Sequence, residues 1–289
     1  MNLKQLTLAL TLAGLPSLSF ATQVLTTLPV THSLATALLD GTSVQLKRAA
    51  PANLPASRQP SYFSSRGGES LANAAQQADA VIGVRSIWRD DPLYPMARRS
   101  NIRIVEIDAA RPVDGALPGI AVTGDDAYGA YPWLNPTNLG RMADVVANDL
   151  ERLSPADKAK IQGNLAGLKR QLLELTASSQ TQLAEVDNLT VVSLSERLGY
   201  LASGLNLDVV EQALPAEGKW DAAALKSLGE NLKSQDVALV LDHRQPEPAV
   251  AEVIKAAGAR LVVVNSDADD AVAGLKASVD QVVGALTES

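Results

Sequence analysis

The sequence contains no cysteine and only two histidines, so several kinds of chemistry are closed to it. Without cysteine there can be no disulfide, no lipid attached to an N-terminal cysteine and no thiolate nucleophile. The histidines, His32 and His243, stand in no recognisable pattern with a nucleophile, and the sequence lacks a phosphate-binding loop and a dinucleotide motif. These absences argue against an enzyme.

Aromatic residues are also scarce, at 3% of the chain. Seven of the nine that follow Phe20 fall between positions 62 and 133, which predicts one aromatic-rich surface or pocket in the first half. The seven are Tyr62, Phe63, Trp88, Tyr94, Tyr128, Tyr131 and Trp133.

The one long apolar run lies at the N-terminus. It extends from Leu6 to Leu18 behind Lys4, and small residues occupy positions 19 and 21. A permanent membrane span needs roughly 20 apolar residues, so this pattern predicts a signal peptide over residues 1–21. We therefore expect export, and the absence of cysteine favours the periplasm of a Gram-negative cell.

Basic residues are outnumbered, and the formal net charge is −7. It becomes −8 without residues 1–21, which contain one lysine and no acidic residue. An acidic protein of this kind does not favour nucleic acid or an anionic membrane as a partner. The remaining 268 residues suffice for two compact domains.

Short β-branched runs alternate with helical patterns along most of the chain, which is typical of parallel sheets covered by helices. The predicted strands are residues 23–27, 43–46, 80–83, 102–107, 189–193, 237–241 and 260–264. The fold class expected is therefore α/β, with two lobes that each contain a mostly parallel sheet.

Residues 136–185 lack strand signals and follow helical spacing, with a polar cap and a proline at the start. We expect a long connecting helix here, restarted near Ser154, between an N-terminal lobe of residues 22–135 and a C-terminal lobe of residues 186–289. The alternative is two ordinary helices within one large domain. Long loops at residues 49–68 and 109–136 follow strands, where ligands of open α/β sheets bind.

Several motifs, in order and spacing, resemble the substrate-binding proteins of zinc and manganese ABC importers, whose lobes are joined by a rigid long helix. Residues 131–136 (YPWLNP) are similar to the family's PHVWLDP motif, and residues 193–204 to its HDAFGYL motif. Residues 24–41 resemble its first strand and helix. Asp242, sixteen residues before Gly258, is similar in place to an acidic metal ligand ahead of the last helix.

The departures from this family concern the metal ligands. Its members hold a bare divalent cation with three histidines and the acidic residue, as suits such metals. Tyr131 stands at one histidine place and Ser195, beside Glu196, at another, and the first loop contains no histidine. Asp242 and His243 remain as weak metal candidates, so we expect weak or no binding of free zinc or manganese.

Arginines lie in the loops expected to face the cleft, above all Arg58, Arg197 and Arg244. A guanidinium group pairs well with oxygen anions, and Tyr131 offers a ring for stacking. We therefore expect an electropositive cleft that binds an anionic metal chelate of the siderophore or metallophore type.

Two alternatives stay open. The first is a bare divalent cation (zinc, manganese or iron) held by Asp242, Glu196 and His243. The second is a role without transport, in which the protein binds a partner protein. The expected partners are an ABC permease of the inner membrane, a metal chelate and a possible sister binding protein. No resident cofactor is expected beyond a metal carried as cargo.

Overall fold

The computed structural model describes residues 21–112, 117–122, 128–215 and 219–288. Of the predicted signal peptide, residues 1–20 lie outside the described residues. The described chain forms two α/β lobes, each with its own four-stranded sheet. No helix in these ranges is long and apolar enough to cross a membrane.

The first lobe contains a parallel sheet with the strand order β2-β1-β3-β4. Its strands are β1 (Gln23–Thr26), β2 (Gln45–Arg48), β3 (Ala80–Gly83) and β4 (Val105–Asp108). Its helices are α1 (Pro29–Leu39), α2 (Gln59–Phe63), α3 (Gly68–Gln77) and α4 (Leu93–Ser100). All four residues of β3 are buried, as is typical of a central parallel strand covered on both faces.

The second lobe repeats this arrangement with the parallel order β6-β5-β7-β8. Its strands are β5 (Thr190–Ser193), β6 (Asp208–Val210), β7 (Leu239–Asp242) and β8 (Arg260–Val263). The connecting helix α5 (Pro136–Leu153) and its successor α6 (Lys158–Leu183) precede this lobe, whose own helices are α7 (Gly199–Gly204), α8 (Ala222–Ser234), α9 (Pro248–Ala257) and α10 (Ala271–Thr287).

The expected fold class is confirmed, because two separate parallel sheets are covered by helices and a long helix links the lobes. Strand β6 is absent from the sequence prediction. It lies at a sheet edge and its first two residues are exposed, so it lacks a buried apolar run. The exact lobe boundaries stay a prediction.

The connector is a helical hairpin rather than one continuous helix. Asn135 caps α5 by accepting the backbone N–H of Thr137 (2.9 Å), and Pro136 occupies its first turn. Helices α5 and α6 run antiparallel, with Lys169 2.8 Å from Asp144. Helix α6 has 26 residues, which at 1.5 Å per residue gives about 39 Å, and it packs against both α1 and α10.

The hydrophobic core continues from one lobe to the other. Leu34 of α1, Leu168 of α6 and Val282 of α10 belong to the same buried cluster, which also contains strand residues from both sheets. Two smaller clusters lie within the individual lobes. Because the lobes share one core with the connector, their relative position is set by close packing.

A buried hydroxyl joins the first turns of α1 and α10. Ser33 donates a hydrogen bond to Asp270 (3.1 Å) and accepts the backbone N–H of Ala271 (2.9 Å). Asp270 in turn caps α10 by accepting the N–H groups of Val272 and Ala273, each at 3.0 Å. One serine of the first lobe therefore completes the start of the last helix of the second.

Replacing Ser33 by alanine should lower the free energy of unfolding by about 1–3 kcal/mol, because the buried N–H of Ala271 loses its partner. Urea denaturation of the mature protein measures this. Ser234→Ala, which removes an exposed hydroxyl at the end of α8, is the matched control and should change little. Equal losses in the two variants would contradict the role given to Ser33.

A buried carboxylate organises the loop that follows β3. Asp91 accepts the backbone N–H groups of Val84 (2.9 Å) and Leu93 (3.1 Å) and is 1% exposed. Burial raises the pKa of Asp91 to about 6; the two N–H groups oppose this shift, and the charges of Asp108 and Glu106 add to it.

This pKa predicts a pH dependence of stability. An unfolded aspartate has a pKa near 3.8, so between about pH 6 and pH 4 the folded chain takes up a proton that the unfolded chain does not. Asp91 therefore adds stability as the pH falls through this window. From pH 7 to pH 4, the stability of the wild type relative to Asp91→Asn should rise by about 3 kcal/mol, at about 1.4 kcal/mol per pKa unit. Asp90→Asn, at the exposed neighbouring position, should show no such trend.

Candidate functional site

A cavity of about 510 Å³ lies between the two lobes at the carboxyl ends of their strands. The first lobe contributes the start of α1, residues 52–57 and part of residues 128–134. The second lobe contributes Arg197, residues 265–269 and the first turns of α10. Each segment follows a strand or precedes a helix of the core, so the walls are anchored in the scaffold.

One wall of the cavity is aromatic. Tyr128 stacks on Trp88 with ring centroids 4.9 Å apart, and Trp133 lies 5.3 Å from Tyr128 and 4.7 Å from Tyr131. The aromatic-rich pocket expected in the first half of the chain therefore exists. Burial, above all, raises the pKa of Tyr128.

Tyr131 connects this wall to the second lobe. Its hydroxyl donates to Asp267 Oδ1 at 2.6 Å, and the guanidinium of Arg197 lies 4.7 Å from its ring centroid, a cation–π contact. Burial and the bond to Asp267 raise the pKa of Tyr131. Its backbone φ of 52° lies in the left-handed region, which few residues other than glycine adopt. Such strain often marks a functional position.

Arg197 donates from Nη1 to Asp267 Oδ2 at 2.9 Å. Asp269, the second acidic residue of the cavity wall, lies 3.3 Å from Arg48 of β2 in the first lobe. Both acidic side chains of the wall are thus paired with an arginine. Buried Ser266 also lines the cavity, and its hydroxyl has no hydrogen-bond partner among the described residues.

The structure brings two of the seven predicted ligand-binding residues, Tyr131 and Arg197, to the cavity wall. Arg58, Glu196 and Arg244 are exposed and do not line it. Ser195 is buried and caps a short 3-10 turn by accepting the N–H of Arg197 at 3.3 Å. Arg197 belongs to that turn, so Ser195 positions a residue of the cavity wall without lining the cavity itself.

Asp242 lies at the end of β7, buried, and does not line the cavity. Its Oδ1 accepts the backbone N–H of His243 at 2.7 Å. The Nδ1 atom of His243 lies 3.2 Å from the same oxygen without the alignment of a hydrogen bond. Asp242 therefore has a local structural partner, and its carboxylate is directed to its own turn.

Asp267 is the residue that the sequence analysis missed. The resemblance places an acidic ligand ahead of the last helix, and the last helix is α10, whose preceding loop contains Asp267. Asp242 precedes α9 instead, so Asp267 occupies the place that the resemblance implies for the acidic ligand, and the role of Asp242 as a ligand stays a prediction. The sequence signal that could have identified Asp267 is the acidic run in residues 266–270 (SDADD), between the last strand and the last helix.

The described residues contain no group of three His, Cys, Asp or Glu side chains that could hold a metal ion. Asp242, Glu196 and His243 therefore do not form the bare-cation site considered as an alternative. The pKa of His243 is lowered, first by burial and then by the charge of Arg197, so its imidazole is neutral at pH 7.

Two lobes, a helical connector and a cavity between the lobes define a solute-binding protein. The chain belongs to the family described as zinc-uptake complex component A, periplasmic, whose model matches residues 65–278. The resemblance to metal-uptake binding proteins is thereby confirmed. This is a family of solute-binding proteins and not of enzymes.

Solved structures with the same fold include ZnuA, with 20% sequence identity, a TM-score of 0.67 and coverage of 92% of this chain and 99% of that one. FpvC from Pseudomonas aeruginosa in complex with Ni²⁺ has 20% identity, a TM-score of 0.67 and coverage of 93% and 98%. The metal-dependent lipoprotein YcdH from Bacillus subtilis has 18% identity, a TM-score of 0.72 and coverage of 92% and 99%. No curated protein matches the chain by sequence.

After burial, the charge of Arg197 is the main influence that lowers the pKa of His243. In Arg197→Ala the pKa of His243 should rise, because a nearby positive charge that disfavours imidazolium is removed. Histidine NMR titration of the mature protein measures this directly, since it has only two histidines. His32 is the internal control: its pKa is lowered by burial and by Arg48, and it should not move. An unchanged pKa of His243 in Arg197→Ala would contradict this effect of Arg197.

Proposed function

We propose that this chain is the periplasmic solute-binding protein of an ABC importer and carries its metal as an organic chelate rather than as a bare cation. The observation that carries the proposal is the interlobe cavity of about 510 Å³ with its aromatic wall. Sites for small organic molecules typically measure about 300–1,000 Å³ and are mostly apolar, with a few polar groups.

The cavity offers an organic ligand three kinds of contact. The rings of Tyr131 and Trp133 provide flat apolar surface for stacking. The hydroxyl of Ser266 is an unpaired hydrogen-bonding group at the wall. Within the described part of the chain, one N–H of Arg197 is bonded to Asp267, and a guanidinium group has five N–H donors.

The charge of the wall differs from the sequence expectation. Arg197 is the one basic side chain among the described lining residues, and Asp267 and Asp269 are the acidic ones. The expected electropositive cleft is therefore wrong for the described part of the wall. A chelate held mainly by ring contacts and hydrogen bonds fits this wall better than one held by a cluster of arginines.

A bare cation is the less favoured cargo. Relatives with this fold include a ZnuA deletion mutant solved with zinc and FpvC solved with Ni²⁺ or Mn²⁺. The described residues of this chain supply no comparable group of ligands. The partners proposed are an ABC permease and its ATPase, reached after cleavage of a signal peptide over residues 1–21. A sister binding protein is a further possible partner.

Calorimetry with the mature protein tests the cargo. Ferric complexes of hydroxamate and catecholate siderophores and of citrate serve as probes, against free Zn²⁺ and Mn²⁺. We expect at least one chelate to bind and neither free ion to bind tightly. Tyr131→Ala should weaken chelate binding about tenfold, because a stacking contact is worth about 0.5–1.5 kcal/mol and tenfold is about 1.4.

Tyr94→Ala is the matched control, since Tyr94 lies on α4 away from the cavity and should leave the affinity unchanged. Native mass spectrometry of protein taken from its own periplasm weighs the bound molecule directly. Tight binding of free zinc would return the protein to the bare-cation class. If no small molecule is found in the native protein and no probe binds, the results would favour the protein-partner role.

A further inference from the structure

Both carboxylate oxygens of Asp267 are already occupied. Oδ1 accepts the hydroxyl of Tyr131 at 2.6 Å, and Oδ2 accepts Nη1 of Arg197 at 2.9 Å. The guanidinium group also covers the ring of Tyr131 at 4.7 Å. A positive charge belonging to the protein therefore lies against the carboxylate that precedes the last helix.

Three separated segments meet at this point. Tyr131 comes from the first lobe, Arg197 follows β5, and Asp267 follows β8. Convergence of side chains from both lobes is the arrangement that a cleft needs to hold a cation. Here the cation is the guanidinium group of Arg197, which is part of the chain itself.

We propose that Arg197 is a specificity-determining residue that excludes bare divalent cations from the cleft. Its charge pairs with Asp267 at 2.9 Å and repels a second cation at the same carboxylate, since like charges a few ångströms apart oppose each other. The other acidic residue of the wall, Asp269, has its Oδ1 paired with Arg48 at 3.3 Å. The inference rests on the proposed function, because both state that the cleft between the lobes does not hold a bare cation.

The geometry also explains why Arg197, and not Arg48, is the residue to change. Arg48 and Asp269 belong to different lobes, so losing that pair also removes a contact between lobes. Arg197 and Asp267 both belong to the second lobe, and the side chain of Arg197 is 35% exposed. Removing the guanidinium of Arg197 leaves the contact of Tyr131 with Asp267 in place.

Calorimetric titration of the mature protein with Zn²⁺ and with Mn²⁺ tests the proposal. We expect Arg197→Ala to raise the affinity for at least one ion tenfold or more above the wild type, because a carboxylate is freed and a repelling charge is lost. Arg197→Lys retains the charge and should stay at the level of the wild type. Arg99→Ala, which removes an exposed guanidinium from α4, should do the same.

The double variant Arg197→Ala, Asp267→Asn shows whether an ion that binds to Arg197→Ala is bound at Asp267. If the gain depends on Asp267, the double variant returns to the weak binding of the wild type; a gain that survives Asp267→Asn overturns the proposal. An unchanged affinity in folded Arg197→Ala, or an equal gain in Arg197→Lys, also overturns it. Folding of each variant is checked by circular dichroism.

The outcomes separate this inference from the proposed function. Tight binding of Zn²⁺ by the wild type contradicts the proposed chelate cargo itself. Chelate binding by the wild type without any gain in Arg197→Ala leaves the proposed function standing and removes only the role of Arg197.

Discussion

The packing of α6 against α1 and α10 is the constraint on which the rest of the structure depends. It draws both lobes into one hydrophobic core, so the lobes are not two bodies on a flexible hinge. The first turns of α1 and α10, joined through Ser33, form part of the cavity wall. The width of the cleft is consequently set by helix packing, and ligand binding is expected to involve modest motion of the lobes.

The loop before α10 supplies polar contacts between the two lobes. Within five residues it places Asp267 against Tyr131, Asp269 against Arg48 and Asp270 against Ser33. All three partners belong to the first lobe, so each of these acidic side chains serves contact between lobes. Exposed ion pairs contribute little individually, and the buried bond of Ser33 to Ala271 is the stronger element of the set.

The architecture could be predicted because its signals are local. Strands β3 and β7 are fully buried and appear in the sequence as apolar runs, and the start of α5 carries both a polar cap and a proline. Strand β6 could not be predicted in this way, since an exposed edge strand has no such run. The hairpin depends on the packing of α5 against α6, which spacing along the chain does not reveal.

The site was predicted less well for a related physical reason. Position in a loop after a strand says that a residue is near the cleft, and it does not say where its side chain points. Arg197 lies in the wall because Ser195 caps its turn, whereas Arg244 follows β7 and is exposed. Asp267 was missed because the acidic ligand was placed by its distance from Gly258, and the last helix begins only at Ala271.

The absence of ligand histidines and the position of Arg197 are best understood together. Asp267 lies directly before the last helix, and its carboxylate is paired within the protein. A guanidinium group and a phenol hydroxyl satisfy it without a metal. A histidine placed at position 131 or 195 would therefore enter a cleft in which the guanidinium group of Arg197 already pairs with Asp267. The wall of that cleft would still present rings and hydrogen-bond donors to an organic ligand.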